Sequence, residues 1–155
     1  MKPEETFDYP LRWSWHGVQR HYNIIASRHD LTMTMGYVLL NIDQENGTPS
    51  TQLGPKIGME PGSLTRTLKS MEKKGYIFKQ SNEIDRRKVH ICLSELGRKK
   101  REASREAVLH FNDYLDKKIS ASQKKKFFEV MEIINSVLSN ENIFEALPQY
   151  DETKN

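Results

Sequence analysis

Cysteine is nearly missing from this chain: Cys92 is the one thiol among 155 residues. A single thiol cannot close an intrachain disulfide, so the fold must hold by packing, and secretion gains no support. Long apolar runs are missing too. No stretch approaches the roughly 20 apolar residues that span a bilayer, and the segment Met1 to Pro10, with acids and no apolar core, does not read as a signal peptide. A cytoplasmic protein without a membrane partner is expected. A glycine-rich phosphate loop and a nucleophile motif are absent, and the carboxylates and histidines are scattered, so neither an enzyme nor a cofactor is expected. Apolar residues are sparse for a compact monomer, 36% against 29% charged, which suits a helical chain that completes its apolar surface with a partner.

What the chain does hold is a cationic stretch from Thr48 to Leu93. Within it Leu64, Leu68 and Met71 recur at the three- and four-residue spacing of one helix face, while Ser63, Thr65, Arg66 and Lys69 fall on other faces. Pro61 suits a first helical position and Gly75 the left-handed residue past a helix end. Upstream, Ser50 to Gly58 reads as a shorter helix with Ser50 or Thr51 as cap, irregular or restarted at Pro55 because proline lacks an N–H. Two short helices joined by a tight turn outline a helix-turn-helix whose second helix enters a major groove. Tyr76 to Gln80 and Val89 to Leu93 are β-branched and aromatic runs around a charged tip, which predicts a hairpin wing. From Pro49 to His90 there are nine Lys or Arg against four acids, a net +5 in a chain whose total is +3. The positive excess therefore sits on the predicted reading element, as a phosphate-binding surface requires.

The runs Leu64-Thr65-Arg66-Thr67-Leu68, Met71-Glu72-Lys73-Lys74-Gly75-Tyr76-Ile77, Asp85-Arg86-Arg87 and Leu93-Ser94-Glu95-Leu96-Gly97 resemble, in order and spacing, the MarR family of bacterial winged-helix transcription regulators. The resemblance is dense over 31–97. It implies a mainly α fold with a small β-hairpin wing, a winged helix-turn-helix flanked by N- and C-terminal dimerisation helices. On that pattern 1–30 is a dimerisation helix and 31–97 the DNA-binding region, with its recognition helix at 61–74 and wing at 76–93. Residues 98–147 are further dimerisation helices and 148–155 a flexible tail. The expected partners are a pseudo-palindromic double-stranded operator, a second copy of the chain, and a small apolar or aromatic effector that releases a repressor. Expected DNA contacts are Ser50, Thr51, Ser63, Thr65, Arg66, Lys69, Arg86, Arg87 and Lys88. By the family's pattern Asp85 braces the wing and Arg87 reaches a minor groove.

The flanks follow helix periodicity alone. Tyr9 to Arg28 carries Leu11, Trp15, Val18, Tyr22 and Ile25 on one face. Its aromatic load, with Trp13, Trp15, His16 and Tyr22, admits two readings: packing in a dimer interface, or the wall of an effector pocket to which Tyr37 also contributes. His16, His21 and His29 do not stack on one helix face, so no metal site is expected. A second helix runs from a Thr32 cap to about Gln44, and Asn46 to Pro49 reads as a plain turn. A long helix fills Ser94 to about Lys118, and a last one starts at Ser120, with Gln123 at capping-box spacing. Ile143 to Leu147 are expected to extend the dimer contact made by that helix's stripe, Phe127, Met131, Ile134 and Leu138. The competing functions are a winged helix used for protein contacts, and a regulator responsive to a metal through its histidines or to redox state through Cys92.

Overall fold

The computed structural model describes residues 2–81, 89–139 and 143, in two compact units, Met1–His110 and Phe111–Asn155. The expected wing-tip residues Asp85, Arg86, Arg87 and Lys88, the segment 144–147 and the tail 148–155 lie outside the described residues.

After a short 3-10 turn at Pro3–Glu5, α1 (Asp8–Ser27) and α2 (Met33–Asn41) form a helical pair. Thr32 caps α2, its hydroxyl accepting the Met35 N–H at 3.2 Å, and the Asn23 carboxamide of α1 accepts the Met33 N–H at 2.9 Å. α2 stops at Asn41 rather than near Gln44 because Asp43 offers the chain a better partner. Its carboxylate accepts the N–H of Glu45 and of Asn46, at 3.0 and 2.7 Å, which folds those residues into a turn instead of another helical step.

The predicted plain turn at Asn46 to Pro49 contains a strand, β1 (Thr48–Pro49), followed directly by α3 (Ser50–Ile57) and α4 (Pro61–Lys73). Two expectations for α3 are corrected. Pro49, with no side-chain bond, occupies the cap position, and Ser50 is already helical. The helix also runs through Pro55 without a restart. Gly54 presents no Cβ to the proline ring, and Thr51, whose carbonyl loses its N–H partner, is exposed and open to water. Gly58, at φ +64°, ends the helix as predicted.

The wing strands are β2 (Ile77–Ser81) and β3 (Val89–Leu93), paired antiparallel with Ile77 opposite Leu93. β3 pairs on its other edge with β1, so the sheet order is β1-β3-β2 and Ile91, fully buried, lies between two partners. Inward-facing Val38, Leu39, Leu53, Met71 and Ile91 form a core in which each side chain is at most 0% exposed. Full burial of each is worth roughly 1.5–3 kcal/mol. The long helix α5 (Glu95–Asp116) opens on Ser94, whose hydroxyl accepts the Gly97 N–H at 2.9 Å.

In the second unit, α6 (Ala121–Leu138) begins with the predicted capping box, Ser120 and Gln123 bonding each other's backbone N–H. It has no buried residue, although Phe127, Phe128, Val130, Ile133, Val137 and Leu138 are all apolar and exposed. Among the described residues no helix is long and apolar enough to cross a membrane.

Candidate nucleic-acid interface

α4 is a two-sided helix. Leu64, Leu68 and Met71 enter the core, which fixes the opposite side outward: Thr65, Arg66, Lys69 and Lys73 are exposed and Ser63 is half-buried. The side chains are partly ordered by the helix itself. Thr65 donates its hydroxyl hydrogen to the Pro61 carbonyl at 2.8 Å, leaving its oxygen to act as an acceptor. Arg66 Nη2 donates to Ser63 Oγ at 3.3 Å, which aims the guanidinium along the helix face while its remaining N–H groups stay open. At the N-terminus Glu60 makes no side-chain cap, and at Gly62 even an added Cβ would meet nothing. That end therefore combines uncapped N–H groups with room for a close approach. On α3, Thr51 is exposed and Ser50 half-buried.

The charge available to a ligand is smaller than the sequence total. Lys79 pairs with Glu72 at 2.7 Å and Lys74 with Asp30 at 2.5 Å, so both cations are engaged. Among the described residues of the cationic stretch from Thr48 to Leu93, Lys56, Arg66, Lys69 and Lys73 remain exposed without an ion pair. Lys73, absent from the expected contacts, belongs with them: it lies seven positions after Arg66, two helical turns along the same face.

Behind α4 sits an unpredicted polar knot. Asp30, between α1 and α2, is the one non-glycine at positive φ (+56°) among the described residues. One carboxylate oxygen accepts from Lys74 at 2.5 Å, and the other accepts the Tyr76 hydroxyl at 2.8 Å. The Lys100 ammonium lies 5.7 Å from the Tyr76 ring centroid and donates to the His29 carbonyl at 2.5 Å. These bonds from Lys74 and Tyr76 hold the Asp30 carboxyl below its ordinary value. Burial, and then the bond to Asp30, push Tyr76 up to about 12. The signs are opposite. Asp30 stabilises fully above its unfolded value and loses that contribution as pH falls through its lower folded value. Tyr76 contributes below its ordinary 10.0 and loses its share as pH rises through about 12. Asp30→Asn is expected to lose stability at neutral pH and to flatten the acid limb; a melting series from pH 2 to 7 whose acid slope matches wild type would refute this.

A narrow cleft, open to solvent at its mouth, lies between α1, α2 and the first part of α5. Tyr22 and Tyr37, two of the expected pocket residues, line it together with Ile25, His29, Met33, Gly36, Ala103 and Ala107. Burial raises both tyrosine hydroxyls above their usual value. Trp13, Trp15 and His16 do not line it: all three are exposed, and Trp15 stacks on Tyr37 with centroids 6.5 Å apart. Cys92 is buried beside Gly47 and donates to Gln80 Oε1 at 3.5 Å. Burial pushes its thiol up, away from the thiolate that oxidant sensing needs. Among the described residues no three His, Cys, Asp or Glu side chains cluster as metal ligands would.

A helix-turn-helix with an outward cationic second helix and a three-stranded wing base is a common plan, so the decisive observation is one of sequence. Residues 31–89 match the family model described as MarR. This segment belongs to the MarR family. The HTH-type transcriptional regulator SarZ of Staphylococcus haemolyticus is 35% identical over 80 residues, covering 52% of this chain and 54% of that protein. The chain thus spans about half the length of such relatives. The S. aureus MepR–DNA complex superposes with a TM-score of 0.79 at 19% identity, covering 85% of this chain and 98% of MepR. The PcaV regulator of Streptomyces coelicolor, solved with its natural ligand, gives 0.76 at 15% identity over 88% of this chain and 96% of PcaV. At these identities the two structures establish the winged-helix fold.

Within the MarR-family segment, sequence reasoning placed Ser63, Thr65, Arg66 and Lys69 off the apolar face of α4 and did not single out Lys73 or Asp30. Lys73 had a signal, its seven-residue spacing from Arg66. Asp30 had none, because its partners Lys74, Tyr76 and Lys100 lie 44 to 70 positions away.

Proposed function

We propose that the chain is a homodimeric, sequence-specific DNA-binding regulator of MarR type, a repressor released by a small apolar or aromatic effector. The observation that carries the reading is the face of α4: Thr65, Arg66, Lys69 and Lys73 exposed, directly opposite Leu64, Leu68 and Met71 in the core. Such a helix presents cations and hydrogen-bonding groups on a rigid mount, which is what major-groove reading requires. The DNA complex of the similarly folded MepR supports it. Two copies would place two α4 helices on half-sites about one helical turn apart. Phe7, just before α1, and Trp13 within it are exposed in the first unit, and the exposed apolar residues of α6 are a surface of the second unit that another copy would cover. Arg86, Arg87 and Lys88 would extend the contact beyond the helix, with Asp85 bracing them. The effector would occupy the cleft at Tyr22 and Tyr37, a reading supported by its apolar lining and by the ligand-bound PcaV.

The test is selection of duplexes from a random pool at fixed salt, followed by titration of the recovered site. Arg66→Ala should cost roughly 1–3 kcal/mol in binding and relax preference at one base position. Equal weakening on every duplex would make Arg66 a phosphate contact instead. Binding that fails to weaken between low and moderate salt would favour a protein-contact winged helix and sink the DNA reading.

A further inference from the structure

We propose that Asp30 is the link through which occupancy of the cleft is transmitted to the recognition helix. The inference rests on the effector reading above and assigns it a residue. Asp30 sits between His29 and Leu31, both of which line the cleft, so anything that fills the cleft bears on its immediate neighbours. Its other side grips the end of α4. Lys74, the residue that closes the helix, donates to the carboxylate at 2.5 Å, and the Tyr76 hydroxyl donates to the carboxylate at 2.8 Å and to the Asp30 carbonyl at 3.0 Å.

Tyr76 cannot absorb a displacement by itself. It is 2% exposed, its N–H donates to the Met71 carbonyl at 3.0 Å, and its own carbonyl accepts the Ser94 N–H at 3.1 Å. A shift of Asp30 must therefore either carry the last turn of α4 with it or break the grip. Asp30 also holds a left-handed backbone conformation that a non-glycine residue adopts at a cost, and its bonds to Lys74 and Tyr76 offset that cost. Loss of those bonds would leave the left-handed turn without what offsets its cost, and so free to relax. Lys100, donating to the His29 carbonyl at 2.5 Å, ties the same turn to α5, which forms another wall of the cleft. A ligand that prefers the released turn would loosen the end of α4, and the size of that effect is bounded by the preference itself.

A cleft-filling substitution stands in for the ligand. In the full chain, Ala107→Phe should change amide hydrogen exchange over residues 71–76, and the change should disappear in the Ala107→Phe, Asp30→Asn double variant. On the selected duplex, Ala107→Phe should weaken binding about fivefold or more in the wild-type background and by less than about twofold with Asp30→Asn. Should Ala107→Phe fail to fold by circular dichroism, Ala103→Val makes the same comparison with a smaller addition. A response of equal size with and without Asp30, or no response of 71–76 to a filled cleft, would overturn the proposal. The exchange readout needs no DNA, so its failure is distinct from failure of the DNA-binding reading.

Discussion

Gly97→Ala is expected to be the most damaging single-methyl change in the described chain. A Cβ at this position would lie 1.9 Å from the Tyr76 carbonyl oxygen and 2.9 Å from its carbon. The obstacle is backbone, and it is held in place: Tyr76 is bonded through its N–H to Met71, through its carbonyl to Ser94 and through its hydroxyl to Asp30. Relief requires α5 to move off the base of the wing, which would undo the Ser94 cap and the first pairs of β2 with β3. We expect a loss of roughly 3 kcal/mol or more, seen as a fall in Tm of roughly 6–12 °C for a chain of this size. Gly17→Ala is the matched control. Gly17 is helical with nothing within 4 Å of an added Cβ, so this change should be neutral or stabilise by up to about 1 kcal/mol. Melting of Gly97→Ala within about 2 °C of wild type would show that the packing at Tyr76 is looser than described.

Ile133→Glu should produce the largest change in assembly. Ile133 is 64% exposed in the single chain, so glutamate there leaves the core of one copy untouched. α6 nonetheless carries apolar side chains around much of its circumference, a pattern that belongs to a helix buried on several sides. In a two-fold interface each substitution appears twice, and an unpaired carboxylate placed in an apolar contact costs several kcal/mol. Sedimentation should show a dimer for wild type and a monomer for the variant at micromolar concentration. Loss of the second reading helix would then lower affinity for a two-half-site duplex by about 100-fold or more. Dimeric sedimentation of Ile133→Glu would remove α6 from the interface, and a wild-type monomer would remove the dimer altogether.

Elements whose determinants are local were legible from the residues. α4 begins at Pro61, keeps Leu64, Leu68 and Met71 on one side and closes before Gly75, each a signal within one or two turns of where it acts. The capping boxes and caps at Thr32 and Ser120 are of the same kind. The misreadings share a cause. β1 is two residues long and exists because β3 offers it Ile91 and His90 as partners, which Thr48 and Pro49 do not announce. α2 ends early because of an aspartate turn that competes with the helix, and α3 continues through Pro55 because a glycine happens to precede it.

The residues by themselves determined which face of each helix is apolar and where the positive charge is concentrated, because periodicity and charge are properties of neighbours in the chain. Only the tertiary structure decided which charges remain open. Lys74 and Lys79 are cations in the sequence count yet are engaged by Asp30 and Glu72, and Tyr22 and Tyr37 meet across a cleft that the two tryptophans never enter. Ion pairing and cavity lining depend on distances of a few ångströms between groups far apart along the chain, and packing alone sets those distances.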